Sequence, residues 1–121
     1  MHMIRLTRKE EELMKILWQL ERAFVKDVVA AYPEPQPHYN TISSLVRLLQ
    51  EKGYVGFTAY GSTYEYYPLL QKEAYRKSMM QQMVSDYFDN SYKNAVAFFV
   101  SEENLSEEEQ AALITLIKKE D

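Results

Sequence analysis

The run Asn40-Thr41-Ile42-Ser43-Ser44-Leu45-Val46-Arg47-Leu48-Leu49 draws two different faces on one helix. Ile42, Leu45, Val46 and Leu49 recur at i, i+3, i+4, i+7 and form an apolar stripe that must pack inward. Asn40, Ser43, Ser44 and Arg47 repeat the same spacing on a face turned a quarter to a half turn away, polar throughout, with Thr41 on its boundary. Short hydrogen-bonding side chains with a single arginine let a helix come close to base edges. Asn pairs with adenine, Arg with guanine, Ser or Thr with either, and a threonine methyl meets the methyl of thymine. Any surface helix has a polar side, so the meaning of this one depends on what flanks it.

Upstream, Thr7-x-x-Glu10 forms a capping box, and Leu13, Ile16, Leu17 and Leu20 behind it mark a first amphipathic helix. Val28, Val29 and Tyr32 predict a short second helix that stops at Pro33, because a proline disfavours helical geometry in the residue before it. Pro33, Pro35 and Pro37 are expected to hold the following connection extended. The third helix runs from Asn40 to Lys52 without glycine or proline, and Gly53 is placed to end it in a left-handed conformation. Downstream, Tyr54 to Tyr60 and Thr63 to Pro68 are two aromatic, β-rich runs around Gly61-Ser62, which reads as a hairpin. Three helices and a hairpin in this order predict a winged helix-turn-helix, with the third helix reading DNA.

The hairpin tip, Tyr60, Gly61, Ser62 and Thr63, would then be the wing. It holds no Lys or Arg, so Tyr60, Ser62 and Thr63 are its candidate DNA contacts through hydroxyls. Tyr64 and Tyr66, alternating on one strand, read as sheet-face packing. Arg5, Arg8 and Lys9 at the first helix are candidate phosphate partners, Arg8 among them in particular.

The rest is helical. Lys72 to Phe88 carries Tyr75, Met79, Met83 and Val84 at helical spacing, Tyr92 to Val100 is short and apolar, and Ser106 opens a second capping box with Glu109 before Leu113, Leu116 and Ile117. The acid-rich run from Glu102 to Glu109 reads as a solvated helix start whose acids suit the positive end of the helix dipole. Three short helices with so many large apolar side chains need each other or a second chain. The fold expected is therefore mainly α (α+β): a winged helix-turn-helix DNA-binding domain over residues 1–70, then a helical dimerisation domain over 71–121. Met79, Met83, Phe88, Val96, Phe99, Leu113 and Ile117 are expected at the interface of a homodimer.

Composition narrows the alternatives. A chain of 121 residues leaves room for one domain plus an extension, not for two large ones. No apolar run approaches the roughly 20 residues of a membrane span and the N-terminus lacks a signal-type apolar core, so neither membrane insertion nor export is expected and a cytoplasmic location is. Without cysteine there is no disulfide, thiol nucleophile or Cys-based zinc site, and two histidines leave few metal ligands, so no metal and no cofactor is expected. His38 among prolines has no partner at a revealing spacing, and no phosphate loop or nucleophile elbow occurs, so the chain does not read as an enzyme. The Met79, Met80, Met83 cluster reads as packing, not a soft-metal site. The net charge of −4 is concentrated in the second half: eight cations meet eight acids from Met1 to Leu70, and six meet ten from Gln71 to Asp121. A neutral first half and an uncharged wing leave a second reading open, a winged helix used for protein–protein contact.

Several blocks together resemble the penicillinase repressor family of winged-helix transcriptional regulators, the BlaI, MecI and CopY type. They are Leu6-Thr7 with Glu10 through Leu17-Trp18, Val25-Lys26-Asp27-Val28-Val29, Asn40-Thr41-Ile42 with Leu45-Val46 and Leu48-Leu49 before Lys52-Gly53, and Tyr64-x-Tyr66-Tyr67-Pro68. The resemblance implies a repressor that binds a dyad-symmetric double-stranded DNA operator as a homodimer and blocks transcription. By position, Thr41 and Ser44 match base-contacting residues of the family, with Asn40, Ser43 and Arg47 beside them. It also implies a membrane sensor protease as a partner acting on the C-terminal domain. At the place of the family's Asn-Phe cleavage bond this chain has Phe98-Phe99, so that step does not carry over directly, and the cysteine cluster of the copper-responsive branch is missing.

Overall fold

The computed structural model describes residues 4–102 and 105–120, with side chains described as far as residue 115. In chain order the elements are α1 (Arg8–Leu20), β1 (Ala23–Phe24), α2 (Val25–Ala31), α3 (Tyr39–Glu51), β2 (Val55–Tyr60), β3 (Thr63–Pro68), α4 (Lys72–Tyr87), α5 (Tyr92–Glu102) and α6 (Glu107–Glu120). They fall into two compact units, Met1–Arg76 and Lys77–Asp121, so the first turn of α4 belongs to the N-terminal unit.

In the N-terminal unit α1 starts at the capping box. Glu10 N–H donates to Thr7 Oγ1 at 3.2 Å and Thr7 N–H donates to Glu10 Oε1 at 2.8 Å. The second carboxylate oxygen of Glu10 accepts from Lys52 Nζ at 2.6 Å, so a residue with a local capping role also ties the start of α1 to the end of α3. Glu10 is fully buried. Burial works against its ionised form, yet the Lys52 ammonium and the Thr7 N–H hold its carboxyl below the ordinary glutamate value. α2 ends with Tyr32 in extended geometry before Pro33, and the connection beyond contains a cis Glu34–Pro35 peptide. α3 ends at Glu51 with Lys52 as its cap, and Gly53 takes the positive φ of 85° that its position predicts.

β2 and β3 form the hairpin, with Phe57 opposite Tyr66 and Tyr60 opposite Thr63, and Gly61 turns the chain at φ 63°. A third strand escaped the sequence reading. β1 pairs antiparallel with β3, Ala23 opposite Tyr66, giving the sheet order β1-β3-β2. Leu13, Met14 and Leu17 of α1, Val28 of α2, Ile42, Val46 and Leu49 of α3, Val55 and Tyr66 together make the core. Full burial of each such aliphatic side chain contributes about 1.5–3 kcal/mol. Tyr75, at the start of α4, is buried here too: its ring lies 5.7 Å from that of Trp18 and its hydroxyl donates to Glu11. Trp18 Nε1–H donates to the Leu70 carbonyl at 2.8 Å.

The C-terminal unit has far less interior. Among the described residues only Ser78, Val84 and Ala95 are buried in it. α5 packs on α6, and the ring of Phe88, just past α4, lies 5.6 Å from that of Phe98. The second capping box is present, with Glu109 N–H donating to Ser106 Oγ at 3.1 Å. Of the residues expected at a dimer interface, Met79 is exposed, Met83, Phe88, Val96, Phe99 and Leu113 are half-buried, and the side chain of Ile117 lies outside the described residues, as does that of Leu116. No described helix is long and apolar enough to cross a membrane.

Candidate nucleic-acid interface

The inward stripe of α3 holds the helix on the core, which leaves Asn40, Thr41, Ser44 and Arg47 exposed and Ser43 half-buried on the opposite side. Leu48 and Glu51 are exposed on this side as well, towards the C-terminal end. At 100° per residue Ser43 falls along one edge of the exposed face, Arg47, Asn40 and Ser44 across its middle, and Leu48 and Thr41 along the other edge.

The Ser43 side of this face borders a cleft of about 550 Å³ walled by three pieces of chain. α3 supplies Tyr39, Asn40, Ser43 and Arg47. The hairpin supplies Ser62, Thr63, Tyr64 and Tyr66, and the junction of β1 with α2 supplies Phe24, Val25 and Lys26. The lining holds two cations, Lys26 and Arg47, and no acid. Arg47 Nη2 donates to Ser43 Oγ at 3.4 Å, a long and weak contact that keeps the guanidinium on the cleft side. Burial pushes the Tyr66 hydroxyl above its ordinary pKa, and the Arg47 charge opposes the rise, which places that charge within electrostatic reach of the cleft floor. Thr63 Oγ1 donates to the Tyr60 carbonyl at 2.9 Å and pins the turn.

The structure thus brings together five of the residues the sequence singled out: Asn40, Ser43, Arg47, Ser62 and Thr63. Thr41 and Ser44 stand outside the cleft, on the open side of α3. Tyr60 is not in the lining, and its ring packs 6.0 Å from that of Phe24. Arg8 is not in it either, and its guanidinium engages Glu12 at 3.8 Å on the surface of α1. Lys26 and Tyr39 were missed. Neither stands on the polar repeat of α3 or at the turn, and only the crossing of α2 with α3 carries Lys26 to the site. A second concavity of about 530 Å³ lies on the same unit between Trp18, Arg22, Tyr67 and Lys72, but Glu21 shares its lining. Among the described residues no group of three His, Asp or Glu side chains is placed to hold a metal ion.

A family profile described as penicillinase repressor matches residues 6–119, which spans both units. The chain belongs to the penicillinase repressor family. As a penicillinase repressor it is a transcriptional repressor of the BlaI and MecI type, in a family of regulators and not of enzymes. It is similar to the methicillin resistance regulatory protein MecI of Staphylococcus aureus (strain N315), 22% identical over 112 residues that cover 91% of this chain and 90% of the relative. The proteins of the same name from Staphylococcus epidermidis and Mammaliicoccus sciuri match to the same extent, at 22% identity over 112 residues. The family read from the motif blocks and the α+β winged-helix architecture are both borne out.

Proposed function

We propose that this penicillinase repressor binds a dyad-symmetric double-stranded DNA operator as a homodimer and keeps polymerase from the promoter by occupying it. α3 enters the major groove with its polar face while the hairpin lies against the neighbouring backbone. Two-fold symmetry calls for half-sites about one helical turn apart, roughly 10 base pairs, or a multiple of it. The observation that carries this reading is the cleft joining α3 to the wing, which holds two cations, Lys26 and Arg47, and no acid in a unit that is otherwise near neutral. Its test is a titration of the duplex immediately upstream of the gene, followed by fluorescence anisotropy at several salt concentrations. Log affinity is expected to fall linearly with log salt and to exceed that for a shuffled duplex.

The wing tip without Lys or Arg favours a second reading, a winged helix serving protein–protein contact. Absent or salt-insensitive binding of both duplexes would favour it. Relief of repression by a membrane sensor protease is the further partner that the family reading suggests. Phe98-Phe99 sits within α5, where the two rings lie 5.9 Å apart, so a protease acting there must first unwind that helix locally.

A further inference from the structure

We infer that Tyr75, Glu11 and Trp18 are positioning residues for operator recognition: they clamp the first turn of α4 to α1, fix the direction in which that helix leaves the winged-helix unit, and so set the half-site spacing a dimer accepts. The inference rests on the proposal that the chain binds a dyad operator as a homodimer.

The junction between the wing and α4 has no slack. Only Leu69, Leu70 and Gln71 separate β3 from α4, and each is tied down. The N–H groups of Leu69 and Leu70 both donate to the Tyr54 carbonyl, at 2.8 and 3.0 Å. The Leu70 carbonyl accepts from Trp18 Nε1–H at 2.8 Å, and Gln71 Nε2 donates to the Pro68 carbonyl at 3.3 Å. Leu70 is buried as well. A chain boundary between domains is ordinarily exposed, with few contacts across it. This one has its backbone groups paired and an apolar side chain in the core.

The clamp continues into the first turn of α4. Tyr75 is 7% exposed, packs its ring 5.7 Å from that of Trp18 and donates its hydroxyl to Glu11. Glu11 is held in turn by Lys15 at 3.3 Å, one turn further along α1. Burial first, and then the Glu11 carboxylate, push the Tyr75 hydroxyl above its ordinary pKa, so it stays protonated as the donor. A phenylalanine would fill the same apolar space; the hydroxyl adds a directional tie that packing alone lacks. Ring contact, hydrogen bond and the paired Leu70 backbone together fix a helix start in tilt and in rotation. From there α4 is one unbroken helix from Lys72 to Tyr87. None of the three residues lines the cleft beside α3, so they act on recognition only through α4. Linking two readers raises affinity for a dyad by about 10²–10⁴-fold over one half-site, but only where the linkage lets both engage. A firmly held exit confines that gain to one spacing, and a loose one spreads it over several.

Anisotropy titrations of the full-length protein on three duplexes test this. They are the upstream duplex, the same duplex with two base pairs inserted at its dyad centre, which turns one half-site by about a fifth of a turn, and one that keeps a single half-site. The wild-type protein is expected to bind the native spacing best. Tyr75→Phe and Glu11→Ala should each lower the ratio of native-spacing to inserted affinity by about tenfold, the low end of what one hydrogen bond to a charged group corresponds to. Both should leave the single half-site affinity unchanged. Glu11→Gln, which keeps an acceptor for the tyrosine, should restore most of the ratio. Val28→Ala, a core truncation away from the clamp, should lower the melting temperature and leave the ratio intact, which separates positioning from loss of stability. A ratio unchanged in both Tyr75→Phe and Glu11→Ala, or lowered as much by Val28→Ala, overturns the inference. So does a wild-type protein that is tighter on two half-sites than on one yet indifferent to the insertion, and that outcome leaves the repressor reading standing. Equal affinity for all three duplexes and for a shuffled one removes the dyad reading itself, and the inference with it.

Discussion

Gly56 lies under the ring of Tyr67, its cross-strand partner on the outer face of the sheet. A Cβ at position 56 would stand 2.8 Å from Tyr67 Cζ, closer than van der Waals contact allows, so the ring must swing aside if a side chain is added. The ring is not idle, because the Arg22 guanidinium sits 4.6 Å above its centroid and reaches Glu65 at 3.8 Å. Such an exposed cation–π contact is worth about 0.5–1 kcal/mol. Alanine is otherwise better than glycine in a strand by roughly the same amount. The two effects oppose each other, so a double-mutant cycle reads them more clearly than a single variant. Gly56→Ala is expected to be less favourable by about 1 kcal/mol when Tyr67 is present than in a Tyr67→Ala background, as measured by urea unfolding. Strict additivity would show that the ring moves at no cost.

At the scale of elements, the Glu10–Lys52 pair joins α1 to α3 and sets how the polar face of α3 is held. Since the folded pKa of Glu10 lies below its unfolded value, the pair contributes stability that is fully present above that unfolded value, and loses it as pH falls through the folded pKa. Acidification from about pH 5 downward should therefore lower the urea midpoint. Glu11, held down chiefly by the Tyr75 hydroxyl, adds to the same slope. Lys52→Met should cost roughly 1–3 kcal/mol at neutral pH, because Glu10 is left buried without its cation, and should flatten the acid slope to what Glu11 supplies. A variant with the full wild-type acid slope would show that the capping box alone sets the Glu10 ionisation.

Elements differ in how far the sequence makes them legible. α1, α3 and the hairpin follow from local signals: the Thr7–Glu10 box, the two stripes of α3, and glycines at 53 and 61 where positive φ is needed. The partner of Lys52 lies 42 residues away, and β1 is two residues long with its partner strand some forty residues on. No periodicity encodes either. The polar face of α3 could be drawn from the sequence, but its division into a cleft side and an open side could not, since that depends on where the wing and α2 come to rest.

For the whole molecule the decisive feature is how few of the described residues of the Lys77–Asp121 unit are buried. Met79, Met80, Tyr87, Phe98 and Ile114 remain exposed there, Tyr87 at 79%. Each large apolar side chain left in water forgoes up to about 1.5–3 kcal/mol of burial, so three short helices of this kind gain most from a second copy. The same unit carries nine acids against four cations, so two copies brought together repel each other electrostatically. Salt should then act with opposite signs on the two proposed associations, with a second copy and with DNA. It screens the acidic units and tightens the dimer, while it competes for phosphates and loosens DNA. Sedimentation equilibrium is expected to show a dimer whose dissociation constant falls as salt rises, and the thermal midpoint should climb with protomer concentration, each tenfold increase adding about 1.4 kcal/mol to the stability of the dimer. A monomeric mass with a midpoint independent of concentration would mean that the exposed apolar side chains have some other partner. The operator would then be met by one winged helix at a time, and a single half-site would bind as tightly as the pair.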